Sequence, residues 1–232
     1  MAFKRPDGRK PDQLRPITAE VGVVPNAQGS ARFAIGNTVA IAAVYGPREL
    51  HPKFMQDPKK GILRCHYGMM PFSGQGDRVR PGPNRRAKEI SMVITNALNP
   101  VLDLSAYPNA VVDVFIDCPQ TDAGTRCAAL TAASMALADA GIGMKDLVSA
   151  VAVGLVEGKL VVDLSYEEEA MEATDIPVAV LPNSGQISLL QMDGECSQED
   201  LKKALELAVE TSKELYEIQK KALKAKYAEA SK

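Results

Sequence analysis

With 232 residues, 46% of them hydrophobic and 24% charged, the chain has the composition of a globular protein with a sizeable core, which excludes a largely disordered chain. Lysine plus arginine (27) nearly balance aspartate plus glutamate (29), and the net charge of −2 excludes a global pull toward nucleic acid, so any such contact must be local. No apolar run approaches the roughly 20 residues of a membrane span. Cys65, Cys118, Cys127 and Cys196 show no CxxC spacing, which points to reduced thiols in a cytoplasmic protein and away from a zinc site or a disulfide framework.

Residues 1–16 are polar and proline-rich and read as an arm that packs along a partner or is ordered late. Three strand-like runs follow from Val21 to Tyr45, with Gly36 and Asn37 marking a hairpin between the second and third. A loop rich in proline and lysine is predicted from Pro47 to Lys60, then a strand from Ile62 to Met70. Between Phe72 and Asn84, Gly74, Gly76, Pro81, Gly82 and Pro83 rule out regular structure. Ile90, Val93, Ile94 and Ala97 predict a helix from Arg85 to Leu98 that stops before Pro100. Val111, Val112, Val114, Phe115 and Ile116 predict a buried strand, and the small residues from Ala128 to Leu137 a helix ending at Ala140 and Gly141.

In the second half, Val148–Val156 and Leu160–Leu164 flank a turn at Glu157 and Gly158, and Ile176–Leu181 and Ile187–Met192 flank another at Asn183, Ser184 and Gly185. A long helix from about Ser197 to Ala228 carries Leu201, Leu205, Ala208, Ser212, Leu215 and Ile218 on one side. The pattern predicts an α+β protein with an arm at 1–16, one unit at 17–145 and a second at 146–232. The order of elements hints at an internal duplication, without a residue-level repeat.

Three clusters bear on chemistry. The run Thr121, Asp122, Ala123, Gly124, Thr125, Arg126 joins a strand to a helix, and the unpaired N–H groups of a helix's first turn attract an anion. Gly124 allows close approach, Thr125 adds a hydroxyl and Arg126 can clamp two oxygens. The alternative is an ordinary turn with Asp122 as the N-cap and Arg126 on a solvated face. Arg78, Arg80, Arg85, Arg86 and Lys88 form a basic stretch over a loop and a helix start, where cations oppose the dipole, so they suit phosphodiester oxygens unless they are simply a solvated face. Asp163, Glu167, Glu168, Glu169, Glu172 and Asp175 are bunched between the two late hairpins; such carboxylates repel unless a cation or an arginine sits among them, and a soluble acidic loop is the alternative.

Six collinear segments resemble the RNase PH superfamily of phosphorolytic exoribonucleases, in particular the catalytic ring subunits of archaeal exosomes. They are Arg5–Arg15 (RPDGRKPDQLR), Gly29–Pro47 (GSARFAIGNTVAIAAVYGP), Tyr67–Ser73 (YGMMPFS), Arg85 with Arg86, Asp122–Arg126 (DAGTR) and Ala173–Pro177 (ATDIP). The resemblance implies two βαβα-type, ribosomal-protein-like units packed together with a long C-terminal helix. It also implies phosphate-dependent 3′ to 5′ degradation of single-stranded RNA to nucleoside diphosphates, and 3′ tailing in reverse. Gly124, Thr125 and Arg126 then match the site of the co-substrate, inorganic phosphate. Arg85 and Arg86 match the pair that grips the RNA near its 3′ end, and Lys53 matches a basic position lining the neck of a central channel.

Two family carboxylates fall on Glu169 and Asp175, for catalysis or for a Mg²⁺ or Mn²⁺ ion; aspartate is more usual at the first. The partners implied are a related non-catalytic subunit alternating in a six-membered ring, and RNA-binding cap proteins. A homohexameric, tRNA-trimming RNase PH and a non-catalytic RNA-binding scaffold are the alternatives. Aromatic residues make up only 5% of the chain, so base stacking is a minor contribution and sequence-independent degradation is expected.

Overall fold

The computed structural model describes residues 4–75, 78–82, 84–171 and 173–230; Gly76, Pro83 and Glu172, named above, lie outside them. Alternation defines the first strand. Along β1 (Ile17–Val21), Ile17, Ala19 and Val21 are half-buried while Thr18 and Glu20 are exposed, so the strand ends at Val21 instead of starting there. β2 (Gly29–Ile35) and β3 (Thr38–Glu49) form the hairpin at Gly36 and Asn37, with Ile35 paired to Thr38. β3 runs past Pro47 into the segment read as loop. Its pairing shifts register between Tyr45 and Arg48, and at such an irregularity a residue without an N–H interrupts no regular ladder bond.

β4 (Ile62–Met69) lies parallel to β5 (Ala110–Gln120), and α1 (Arg85–Leu98) sits in the connection between them. The first sheet has the order β1-β2-β3-β5-β4. Asn84 caps α1 by accepting a hydrogen bond from the Ala87 N–H at 2.7 Å. Further along α1, the Ser91 and Thr95 hydroxyls accept from the Tyr67 and Cys65 N–H groups, so the helix satisfies donors on edge strand β4 that no further strand pairs with.

The second sheet is antiparallel throughout, in the order β7-β6-β8-β9: β6 (Ser149–Val156), β7 (Lys159–Val162), β8 (Thr174–Leu181) and β9 (Gln186–Leu190). The acidic stretch before β8 is not all loop. Ser165 and Glu168 close a capping box around α3 (Tyr166–Glu169), a short helix that the S-x-x-E spacing encodes.

α2 (Thr125–Asp139) joins the halves. Thirteen of its fifteen residues are buried, so it has no solvent face and must lie inside the molecule. It packs on β2 and β3 of the first sheet and on β6 and β8 of the second. Small residues permit that closeness: a Cβ on Gly29 of β2 would come within 2.2 Å of the Ala140 nitrogen at the end of α2. Thr131 and Ser134 on α2 accept from the Ala150 and Val148 N–H groups, which leaves no buried strand donor unpaired there. α4 (Gln198–Ala230) covers the second sheet with Ala204, Ala208, Thr211, Ser212, Leu215 and Gln219. Leu201, Leu205 and Ile218 are only half-buried at the margin of that stripe. Among the described residues no helix is long and apolar enough to cross a membrane.

The N-terminal arm is tied back onto its own chain. Arg5 is buried, and its guanidinium grips the Glu168 carboxylate at two points, 2.6 and 2.8 Å, while also donating to the Val162 and Asp163 carbonyls. Arg15 makes the same kind of fork to Asp163 at 2.8 and 2.6 Å. Two of the bunched carboxylates are thus balanced by arginines about 150 residues earlier in the chain.

Candidate active site

The turn before α2 is held in an unusual backbone conformation from three directions. Ala123 (φ 56°) and Gly124 (φ 64°) are both left-handed, and the switch from left-handed Gly124 to right-handed, helical Thr125 is the alternation that turns successive N–H groups to one side in an anion nest. For Ala123 that conformation costs about 1–2 kcal/mol. Thr38, fully buried at the start of β3, offsets it by donating to the Asp122 and Ala123 carbonyls and accepting from the Asp122 N–H. Arg15 also donates to the Asp122 carbonyl. The N-cap of α2 is therefore Gly124 and not Asp122, whose side chain instead accepts from Asn37 and from the Tyr166 N–H.

In front of the nest lies a cleft of about 520 Å³ between the first turns of α1 and α2 and the second sheet. Gly124, Thr125 and Arg126 form one wall, Arg86 and Glu89 of α1 a second, and Glu169, Asp175, Gln191 and Asp193 the far side. β8 positions Asp175, which is paired to Gly154 of β6 and joined to Asp193 by two reciprocal backbone hydrogen bonds of 2.8 Å. That bridge folds the segment after β9 back along β8 and delivers Gln191 and Asp193 to the cleft. Glu169 ends α3.

The electrostatics of the far side are those of crowded carboxylates. Burial, and then the Glu169 charge, push the Asp175 carboxyl up to about 6 against the lowering effect of Arg126. Burial likewise raises Glu169, in opposition to the Gly124 N–H and the charges of Arg86, Arg15 and Arg126. Two side-chain oxygens of residues that line this cleft are buried without a well-formed hydrogen bond among the described residues: Asp175 Oδ1, and Thr125 Oγ1, which lies beside the Tyr67 hydroxyl. Such atoms are costly unless a ligand satisfies them. The wall carries two arginines against four carboxylates, so by itself it favours a cation or a proton.

Of the residues singled out in the sequence, Gly124, Thr125, Arg126, Arg86, Glu169 and Asp175 converge here. Arg85, one residue round α1, lies outside the wall and is exposed. Arg78 and Arg80 are exposed in the irregular segment before α1. Lys53 stands in a short 3₁₀ turn beyond the far end of β3, paired with Glu49 at 3.8 Å. The nest is at the Thr38 end of that twelve-residue strand, so Lys53 is roughly 35 Å away and belongs to a different part of the surface. Glu89, Gln191 and Asp193 escape a reading based on motifs. Only Glu89 carries a local signal, its i+3 spacing from Arg86 on a helix.

The model of the 3′ exoribonuclease family matches this chain with its domain 1 over residues 13–143 and its domain 2 over residues 146–211. The chain belongs to the RNase PH family of 3′ exoribonucleases. Within that family it is 53% identical over 224 residues to the exosome complex component Rrp41 of Pyrococcus abyssi, which covers 97% of this chain and 90% of that protein. Rrp41 of Methanopyrus kandleri is 49% identical over 223 residues, 96% of this chain and 93% of that protein. Among solved structures, rice (Oryza sativa) Rrp46 superposes with a TM-score of 0.84 at 27% identity, covering 95% of this chain and all of the other. The α+β architecture described above is thus the RNase PH fold, with α4 as its long C-terminal helix.

Proposed function

We propose that the cleft binds inorganic phosphate at the α2 nest and directs it onto the last phosphodiester of a single-stranded RNA. The chain is a phosphorolytic 3′ to 5′ exoribonuclease, the catalytic subunit of an exosome. One observation carries the site assignment: the first turn of α2, Arg126 and the buried, unpartnered Asp175 carboxyl line a single cleft.

The reaction brings two anions together, so charge compensation is the main task. The first-turn N–H groups of α2, the Thr125 hydroxyl and Arg126 hold the attacking phosphate. Arg86 lies against the terminal phosphodiester, with Arg85 and Lys53 outside the cleft on the path of the RNA. A phosphate oxygen bonds to the phosphorus as the bond to the 3′-oxygen of the penultimate nucleotide breaks. The products are a nucleoside diphosphate and an RNA one nucleotide shorter, whose 3′-oxygen takes up a proton. Run backwards, the same step adds a 3′ tail.

Asp175 and Glu169 present hard oxygen donors, and the free Asp175 Oδ1 fits the needs of a divalent cation, so these two residues would hold Mg²⁺ or Mn²⁺. Bound there, the cation supplies positive charge against the phosphates. With both carboxylates confined in one cleft, either a cation or a shared proton must offset their repulsion.

The working assembly is a six-membered ring in which this chain alternates with a related non-catalytic subunit, under RNA-binding cap proteins. A cleft with two arginines and four carboxylates is a poor grip for a polyanion unless a neighbour contributes, which supports that arrangement. Cys65, Cys118, Cys127 and Cys196 are all unpaired, which suits the reducing cytoplasm. The test is to incubate the chain, alone and with a ring partner, with single-stranded RNA in the presence and absence of phosphate. Nucleoside diphosphates should appear only with phosphate; monophosphates formed without it would refute the reading.

A further inference from the structure

Glu89 and Gln191 take no part in the chemistry above, yet both hold Arg126. Arg126 Nη1 donates to Gln191 Oε1 and stands 3.5 Å from Glu89 Oε1, while Gln191 Nε2 donates to the same Glu89 oxygen at 3.2 Å. The three side chains come from α2, from α1 and from the segment after β9, and they close a triangle across the mouth of the nest. The Gln191 amide sits between a guanidinium and a carboxylate, with its oxygen toward the first and its nitrogen toward the second. One amino group of the guanidinium that should bind phosphate, Nη1, is already engaged by the protein.

We propose that Glu89 competes with inorganic phosphate for Arg126, with Gln191 as the bridge that keeps the two within reach. The proposal rests on the reading of the nest as the phosphate site. Phosphate that takes hold of Nη1 must displace Glu89 and Gln191 from it. After the reaction the former attacking phosphate is the terminal phosphate of the nucleoside diphosphate, still on Arg126. Return of Glu89 to the guanidinium then expels the product. Glu89 is thus a positioning residue that weakens phosphate binding and speeds release, an exchange suited to an enzyme that must repeat the step at every nucleotide. Its partial exposure fits this use, because a solvated carboxylate can leave Arg126 without being stranded in an apolar site.

The experiment measures phosphate KM, kcat and thermal unfolding for the full chain assembled with its ring partner. Glu89→Gln keeps the shape and removes the charge. It should lower the phosphate KM by about three- to tenfold and lower kcat with it, because release of the diphosphate slows, while RNA KM and unfolding stay at wild-type values. Gln191→Glu places a second carboxylate against Arg126 and should move phosphate KM in the opposite direction. Glu89→Asp, which keeps the charge, should lie close to wild type. A residue that merely braced the cleft would give a raised KM or an earlier unfolding for Glu89→Gln. An unchanged or raised phosphate KM in that variant overturns the competition while leaving the phosphate site standing. A wild-type complex that makes no nucleoside diphosphate from RNA and phosphate overturns the site reading, and the competition falls with it.

Discussion

Asp175 and Glu169 are the residues on which the chemistry turns, and the structure separates their roles. Asp175 is fixed by strand pairing on one side and by the Asp193 bridge on the other, whereas Glu169 sits at the end of a one-turn helix. Asp175→Asn should abolish phosphate-dependent degradation with RNA binding nearly unchanged, measured as single-turnover product formation at saturating RNA and phosphate with Mg²⁺ and then Mn²⁺. Glu169→Asp should remain active, since the end of α3 can yield by the length of one methylene. Wild-type rates in both Asp175→Asn and Glu169→Gln would move the catalytic carboxylates elsewhere. Among the arginines, Arg86 lines the cleft and Arg85 does not. Arg86→Ala should therefore reduce the rate at saturating RNA, while Arg85→Ala should act mainly through RNA affinity; equal loss of rate in both would refute the distinction.

Elements near the site are held by ion pairs that respond to pH. Burial would raise the Glu168 carboxyl, but the Arg5 fork, the Ser165 N–H and the charges of Arg5 and Arg9 hold it below the usual carboxylate range. Asp113 at the outer face of the first sheet is treated alike: burial works upward, and Arg64 and Arg48 bring it down. A depressed carboxylate contributes stability above its unfolded pKa of about 4 and loses it as pH falls through the folded value. Denaturant midpoints should rise from pH 7 to about 5, as Asp175, held at about 6, takes up a proton in the folded state, and drop below about 4 as Glu168 and Asp113 are protonated. Glu168→Ala strands the buried Arg5 and should cost about 3–5 kcal/mol at pH 7, against less than about 0.5 kcal/mol for the exposed Glu167→Ala. In the turn before α2, Gly124→Ala forces an alanine to φ 64° and should cost about 1–2 kcal/mol in stability. It should also raise the phosphate KM, because the strain loosens the turn that orders the nest; the added methyl group itself meets only the Arg15 guanidinium, at 3.6 Å.

At the scale of the whole molecule, α2 ties catalysis to the packing of both halves. Its first turn is the proposed phosphate nest and its body is buried between the two sheets, so a defect in either sheet reaches the cleft through one rigid helix. The near-neutral chain and the acid-rich cleft wall predict weak RNA binding by the isolated subunit. Assembly should raise affinity and steepen its salt dependence, by about 0.7 in the log–log slope for each phosphate newly contacted by the neighbour. Equal affinity and slope for the isolated and assembled chain would mean that the basic residues of this subunit suffice.

The sequence alone determined the features that local physics controls. The hairpin at Gly36 and Asn37, the span of α1 and the small-residue α2 follow from turn chemistry and periodicity, and the DAGTR turn announces an anion site because a helix N-terminus needs no distant partner to be one. Tertiary structure decided everything that depends on pairing across the chain. Asp163 and Glu168 look the same as Glu169 in a run of acids, and only the arrival of Arg15 and Arg5 from the other end of the chain makes the first two structural and leaves the third to the cleft. Arg85 and Arg86 are equivalent, exposed neighbours until the placement of α1 puts one of them at the edge of the cleft. Gln191 and Asp193 carry no motif, and a backbone bridge to β8 brings them to Arg126 and Asp175. Such contacts join residues that are remote in the chain, and their energy comes from burial and charge pairing that no local pattern encodes.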